Sequence, residues 1–218
     1  MAIYMMDGYY CSSDSNLTQD QIDHNARGFF TLFYRLGFSP GAICAMLGNI
    51  QAESGINPAK LQGSSADPIP DNQTMLLYIA GAGVVQWTPA KDTIVPFAIN
   101  IGRNWYSMLT QYLRLKYEYE NDFEFIGVTV HGQYYNWDIF HDYEVDPVIP
   151  LQTVNDLAEA FLRGYLRPSN PEATLANRQY YSRLWYNELK DFRPFSPLFY
   201  RQMSKPDRKE LRSPCQRV

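Results

Sequence analysis

The stretch from Ser39 to Pro58, S-P-G-A-I-C-A-M-L-G-N-I-Q-A-E-S-G-I-N-P, carries a carboxyl where it could do acid chemistry. Ser39 is placed to cap a helix, and Pro40 takes its first position, where a missing N–H costs nothing. Ile43, Met46, Leu47 and Ile50 follow at steps of three and four, so one face is apolar and core-directed. Glu53 continues that spacing, and Gly55 with Asn57-Pro58 stops the helix just after it. A carboxyl there is partly desolvated and meets the negative end of the helix dipole. Both effects favour the neutral, proton-bearing form. Such a Glu can hand a proton to a leaving group near neutral pH as a general acid. By spacing alone, a Glu at a helix end reads first as a solvated carboxylate.

Residues 49–58 (N-I-Q-A-E-S-G-I-N-P) are followed, after a loop, by G-A-G-V-V-Q-W-T-P at 81–89. Together these blocks resemble the phage tail lysozyme family, peptidoglycan-cleaving domains of phage tail tips with relatives in conjugation systems. The resemblance implies a lysozyme-like fold with Glu53 as general acid. It places Gly83, Gln86, Trp87 and Thr88 on another wall of the cleft. The run from Leu157 to Tyr186, with F-L-R-G-Y-L-R-P and then R-Q-Y-Y, resembles the family's closing helices. Arg178 and Tyr180 fall where the family carries an Arg and apolar or aromatic residues. The likeness spans roughly residues 17–189.

The substrate so implied is the peptidoglycan glycan strand, cut at a β-1,4 bond beside N-acetylmuramic acid. Ser54 would orient the acid or touch substrate, or only bond to backbone. Gln86 would offer its amide to acetamido groups or the attacking water. Trp87 would stack on a sugar face, or only fill core. Asp67, Asp71 and Asp92 are candidates for a second carboxylate, and each also reads as a turn or helix-start residue. If one lies opposite Glu53, the separation distinguishes retaining from inverting hydrolysis. If none does, the substrate's own acetamido group or 6-hydroxyl takes that part, the latter making a lytic transglycosylase.

At 218 residues the chain suits one domain with additions. Its 45% apolar and 19% charged content is that of a globular protein. Aromatics reach 15%, with 17 Tyr, which suits sugar clefts and protein interfaces alike. A net charge of −4 gives no general reason to expect nucleic acid or an anionic membrane as partner. Cys11, Cys44 and Cys215 are widely separated and have no metal spacing, so neither a disulfide framework nor a metal or cofactor is expected. Cys44 falls inside the Ser39 helix as a small hydrophobe. M-A-I-Y-M-M-D-G shows no secretion signal, and no apolar run is long enough to span a membrane. A wall-degrading enzyme of this kind would reach its substrate some other way, such as on the tail of a virion.

Residues 1–16 read as a loop or arm, and 17–190 as the lysozyme-like catalytic domain. Thr18 and Gln21 have capping-box spacing ahead of an apolar face of Ile22, Ala26, Phe29, Phe30, Phe33 and Leu36, with His24 and Arg27 solvated opposite. Gly37-Phe38 then leads into the Ser39 helix, predicting a helical hairpin. Lys60 to Asn72 is a turn-rich loop bordering the cleft. Asn104 reads as the cap of a helix with Trp105, Met108, Leu109, Tyr112, Leu113 and Leu115 inside. Within 121–146, Phe123–Val130 and Gln133–Phe140 flank His131-Gly132 and predict a β-hairpin insertion, with Tyr135, Trp137 and Ile139 alternating. His131 and His141 read as turn residues. Two more helices follow, one through Val154, Leu157, Phe161 and Tyr165, and a last one from Asn170-Pro171 through Leu175, Tyr181, Leu184, Trp185 and Leu189. Residues 191–218 hold seven Lys/Arg against three Asp/Glu, with several prolines. This tail is either a solvated end or a segment that docks to other tail proteins.

The fold expected is mainly α: a lysozyme-like helical domain, a small β-hairpin insertion and an irregular C-terminal tail. Two other functional readings stand, a non-catalytic structural or glycan-binding tail component and a conjugation-system lytic transglycosylase. A peptidase finds no Cys–His pairing or zinc-ligand cluster here.

Overall fold

A computed structural model describes residues 2–194. Met1 and residues 195–218, most of the basic tail, lie outside the described residues. The fold is mainly α.

The chain opens with two short antiparallel strands, β1 (Tyr4–Met6) and β2 (Tyr9–Cys11), rather than the expected loop or arm. The turn between them is Asp7-Gly8, both at positive φ (51° and 81°). Asp-Gly is a hairpin signal, since that turn matches the twist of the strands it joins. Helix α1 (Gln19–Arg35) begins with the capping box: Thr18 accepts from the Gln21 amide while the Gln21 side chain accepts from the Thr18 amide. Ala26, Phe29, Phe30 and Phe33 are fully buried on its inner face. His24 is half-buried, not solvated, with a ring nitrogen on the Gly8 carbonyl and the ring edge-on to Tyr10.

Helix α2 (Pro40–Ser54) is the centre of the molecule. Ser39 caps it by accepting from the Ala42 amide at 3.2 Å, and Gly55 ends it in the left-handed region at φ 65°. Ile43, Met46, Leu47 and Ile50 are fully buried, but so are Cys44 and Ala45 on the other sides. The helix is therefore enclosed all round, where spacing suggested one buried face. It packs most extensively on α8 (Glu172–Leu189) and next on α7 (Pro150–Phe161), with α1 alongside as the predicted hairpin partner. Gly48 is what lets α8 approach so closely, since a Cβ there would run into Ser182 and the carbonyl of Arg178. Cys11 and Cys44 are buried free thiols, and burial pushes the Cys11 thiol up to about 12.

Between α2 and α7 lie a short α3 (Asn72–Met75), α4 (Ile94–Asn100) and α5 (Met108–Glu120). Pro96 is tolerated because it falls in the first turn of α4. Ser107, not Asn104, precedes α5, and Trp105 lies outside the helix with its amide on the Asn72 side-chain oxygen at 2.9 Å. The second hairpin forms where predicted but is shorter. Strands β3 (Val128–Val130) and β4 (Gln133–Tyr135) flank His131-Gly132, both at positive φ. The alternation then stops because Asn136 caps α6 (Trp137–Asp142) through the Ile139 amide. A single π turn, Leu162–Leu166, continues α7 and aims Tyr165 inward. Among the described residues no helix is long and apolar enough to cross a membrane.

Candidate active site

Glu53 sits in the last turn of α2 with its side chain 23% exposed, while the side chain of Arg178, one helix away, is 4% exposed. Arg178 Nη2 donates to Glu53 Oε1 at 2.6 Å. The guanidinium is itself fixed, with Nε donating to Thr174 Oγ1 at 3.0 Å and Nη1 to both oxygens of Asn49 at 3.3 Å. Asn49, fully buried, donates in turn to the carbonyls of Ala45 and Ala158, at 2.9 and 3.0 Å. Asn49 and Glu53 are four apart on α2 and so share the face that Arg178 meets. Among the described residues, Glu53 Oε2 has no hydrogen-bond partner.

The second motif block forms a compact loop whose ends pair, Ala82 lying opposite Trp87 and also Leu61. Gly83 (φ 85°) and Gln86 (φ 56°) make the turn. Ser54 stitches this loop to α2: its hydroxyl donates to the carbonyls of Ile50 and Val84, at 3.0 and 2.9 Å, and the residue is buried. Gln86 is half-buried, and its amide nitrogen holds the carbonyls of Lys60 and Gly83 at 3.2 and 2.8 Å. Exposed Thr88 bonds back to the Gln86 carbonyl. Trp87 is only 6% exposed, which leaves no open ring face for a sugar. It fills core, and its indole N–H donates to Glu118 at 3.1 Å.

Two buried residues of α5, Gln111 and Glu118, bond to this loop, and sequence reading missed both. Gln111 accepts from the Val84 amide at 2.9 Å and donates to the carbonyls of Pro58 and Trp105, at 2.6 and 2.9 Å. It thus ties the two motif blocks together. Glu118 takes Trp87, Arg114 and Tyr165 on one fully buried carboxyl. Its desolvation raises the carboxyl above the ordinary glutamate range, against the pull of Arg114 and the hydrogen bonds. Asn57, buried in the first block, exchanges hydrogen bonds with the Ser12 backbone. Asn25 bridges Tyr10 and the Ile56 carbonyl. The N-terminal hairpin is therefore sewn to the same motif.

The three aspartates are engaged locally. Exposed Asp67 accepts from Tyr4 Oη at 2.8 Å. Asp71 caps α3 through the Thr74 amide at 2.7 Å, which holds its carboxyl below the usual range. Asp92 pairs with its neighbour Lys91 at 2.7 Å, at the end of a short 3₁₀ turn. A cavity of about 450 Å³, lined by Met6, Asp7, Asn72, Gln73, Ile99 and Arg103 among others, lies between the N-terminal hairpin and α3, and Glu53 is not part of it. His131 and His141 contact Asp156 and Asp142, and no group of metal-ligating side chains occurs among the described residues.

Morphogenesis protein 1 of Bacillus phage B103 is 29% identical over 180 residues, which cover 83% of this chain and 43% of that protein. The chain thus spans less than half the length of this curated relative. The family model for phage tail lysozyme matches residues 24–189, from within α1 to the end of α8, and leaves the N-terminal hairpin outside. With both motif blocks, the helical fold and most of its length inside that match, the chain belongs to the phage tail lysozyme family.

Proposed function

We propose that this protein is a virion-borne enzyme that cleaves the glycan strand of bacterial peptidoglycan, opening the cell wall locally during phage entry. Glu53 is its general acid. The observation that carries this reading is the state of the Glu53 carboxyl, with one oxygen held by a buried Arg178 and the other without a partner among the described residues, on a side chain 23% exposed. In the reaction Glu53 gives its proton to the glycosidic oxygen as the sugar approaches an oxocarbenium-like transition state. Ser54, Gln86 and Trp87 shape the cleft wall from behind: the Ser54 hydroxyl, the Gln86 amide nitrogen and the Trp87 indole N–H all point to protein groups rather than outward.

A second reading, a lytic transglycosylase, is favoured by the aspartates. Asp67, Asp71 and Asp92 each engage the protein locally, so none stands out as a protein nucleophile or base. The 6-hydroxyl of the substrate would then attack in place of water. Association with other tail proteins also belongs to this proposal, with the 191–218 tail as the docking segment.

Digestion of purified peptidoglycan with mass analysis of the soluble fragments tests both readings. Wild type is expected to release muropeptides, with reducing muramic ends for a muramidase and anhydro ends for a transglycosylase. Glu53→Gln should lower the rate of the folded fraction by about 10²–10⁴-fold. Substantial residual cleavage by that variant would remove Glu53 from the mechanism, and no cleavage by wild type on walls of several chemotypes would favour a structural component.

A further inference from the structure

We propose that Arg178 is a positioning residue for Glu53, orienting the carboxyl so that Oε2 alone meets the substrate. This rests on Glu53 being the acid.

The geometry is that of a built clamp. An arginine with a side chain 4% exposed is held at Nε by Thr174 and at Nη1 by both oxygens of Asn49, which leaves Nη2 aimed at Glu53 Oε1 at 2.6 Å. Asn49 is pinned to α7 through the Ala158 carbonyl, so three helices fix one guanidinium. The close α2–α8 approach at Gly48 sets the depth at which it sits. A planar fork of this kind restricts direction as well as distance, which a lysine ammonium would not do.

With Oε1 occupied by a donor that keeps its own protons, the transferable proton of Glu53 resides on Oε2. When it passes to the glycosidic oxygen, the C–O bond breaks with its electron pair on that oxygen and Glu53 is left as a carboxylate. The guanidinium stabilises that carboxylate as it forms. Arg178 therefore acts on the chemical step through Glu53 and not on substrate binding.

The test measures kcat and KM on soluble peptidoglycan fragments for wild type, Glu53→Gln, Arg178→Lys, Arg178→Met and Thr174→Val, with rates normalised to the folded fraction seen in thermal melts. Arg178→Met should lose about 100-fold in kcat with KM unchanged, the order that misplacing a catalytic group costs. Arg178→Lys should recover part of that loss. Thr174→Val, which frees Nε, should lose roughly 3- to 10-fold in kcat. Wild-type kcat in folded Arg178→Met, or a loss confined to KM, overturns the proposal. Should Arg178→Met fail to fold, wild-type kcat in both Arg178→Lys and Thr174→Val overturns it. An active Glu53→Gln would instead sink the catalytic assignment itself, whatever the Arg178 variants do.

Discussion

From Ala42 to Leu47, α2 packs mainly among apolar side chains, whereas from Asn49 to Pro58 the same helix and its exit loop are held by buried polar ones. The first part contacts a core of Phe29, Phe33, Phe38, Leu157 and Phe161, all 0–2% exposed. The second is tied by Asn25, Asn49, Gln111 and Arg178, which between them reach Ile56, Ala158, Pro58 and Glu53. Apolar contact is non-directional, so many side chains of similar volume satisfy it. Buried hydrogen bonds are directional and costly when one partner is lost. The difference suits a helix whose first half anchors and whose second half, on the function proposed, aims a carboxyl.

The sharpest way to break this contrast is to remove a connector from the polar half. Gln111→Leu keeps volume but leaves the Val84 amide and the carbonyls of Pro58 and Trp105 without their partner. Urea unfolding should show a loss of about 3–5 kcal/mol from these buried groups. The folded fraction should also cleave peptidoglycan more slowly, because the two motif blocks no longer hold each other. Leu47→Ala, in the apolar half, should cost about 2–5 kcal/mol. Its folded fraction should keep wild-type kcat. Equal loss of activity per folded molecule in the two variants would erase the distinction.

The same contrast explains what was legible in the sequence. Thr18, Ser39, Pro40 and Gly55 act locally, and their helix boundaries stand where spacing puts them. The two motif blocks, read as neighbours, do meet in the structure, through Ser54 on Val84 and through Gln111. The stripes of α5 and α8 are legible in part: Met108, Leu115, Trp185 and Leu189 are buried as their spacing predicts, while other buried positions carry polar residues. On α5 the inward row is Met108, Gln111, Leu115 and Glu118, and on α8 it is Arg178, Ser182, Trp185 and Leu189. Their spacing is helical, but a search for apolar periodicity passes over Gln111, Glu118 and Arg178. Their partners are also distant in sequence, 125 residues in the case of Arg178 and Glu53. Asp7-Gly8 is the opposite case, a local signal that suffices for its hairpin although no alternating period surrounds it.

Glu118 sharpens the comparison, being a buried carboxyl engaged on several sides. Its folded-state value is raised from an ordinary 4.5, so the folded protein binds that proton more tightly than the unfolded chain does. The stability this confers is fully present below pH 4.5 and is lost as pH rises through the raised value. Glu118→Gln does not titrate. The melting temperature of the variant relative to wild type should therefore climb with pH across that window and flatten above it. A difference independent of pH would mean that Glu118 carries no such linkage, whatever the variant's absolute stability.

The smallest effect expected has the opposite sign. Thr110, next to Gln111 on α5, is fully buried, and its hydroxyl has no hydrogen-bond partner among the described residues. An unpaired buried hydroxyl keeps its desolvation cost without the compensating bond. Thr110→Val replaces it with a methyl group of nearly the same shape on an equally branched side chain, so helix propensity hardly changes. The variant should be more stable by about 1 kcal/mol in urea unfolding, with m unchanged. Gln111 and Thr110 then mark the two limits of buried polarity on one helix: the first satisfied at both ends of its amide and costly to remove, the second unsatisfied and better removed. A destabilised Thr110→Val would show that the hydroxyl has a partner after all, and that the polar half of the molecule extends one residue further along α5.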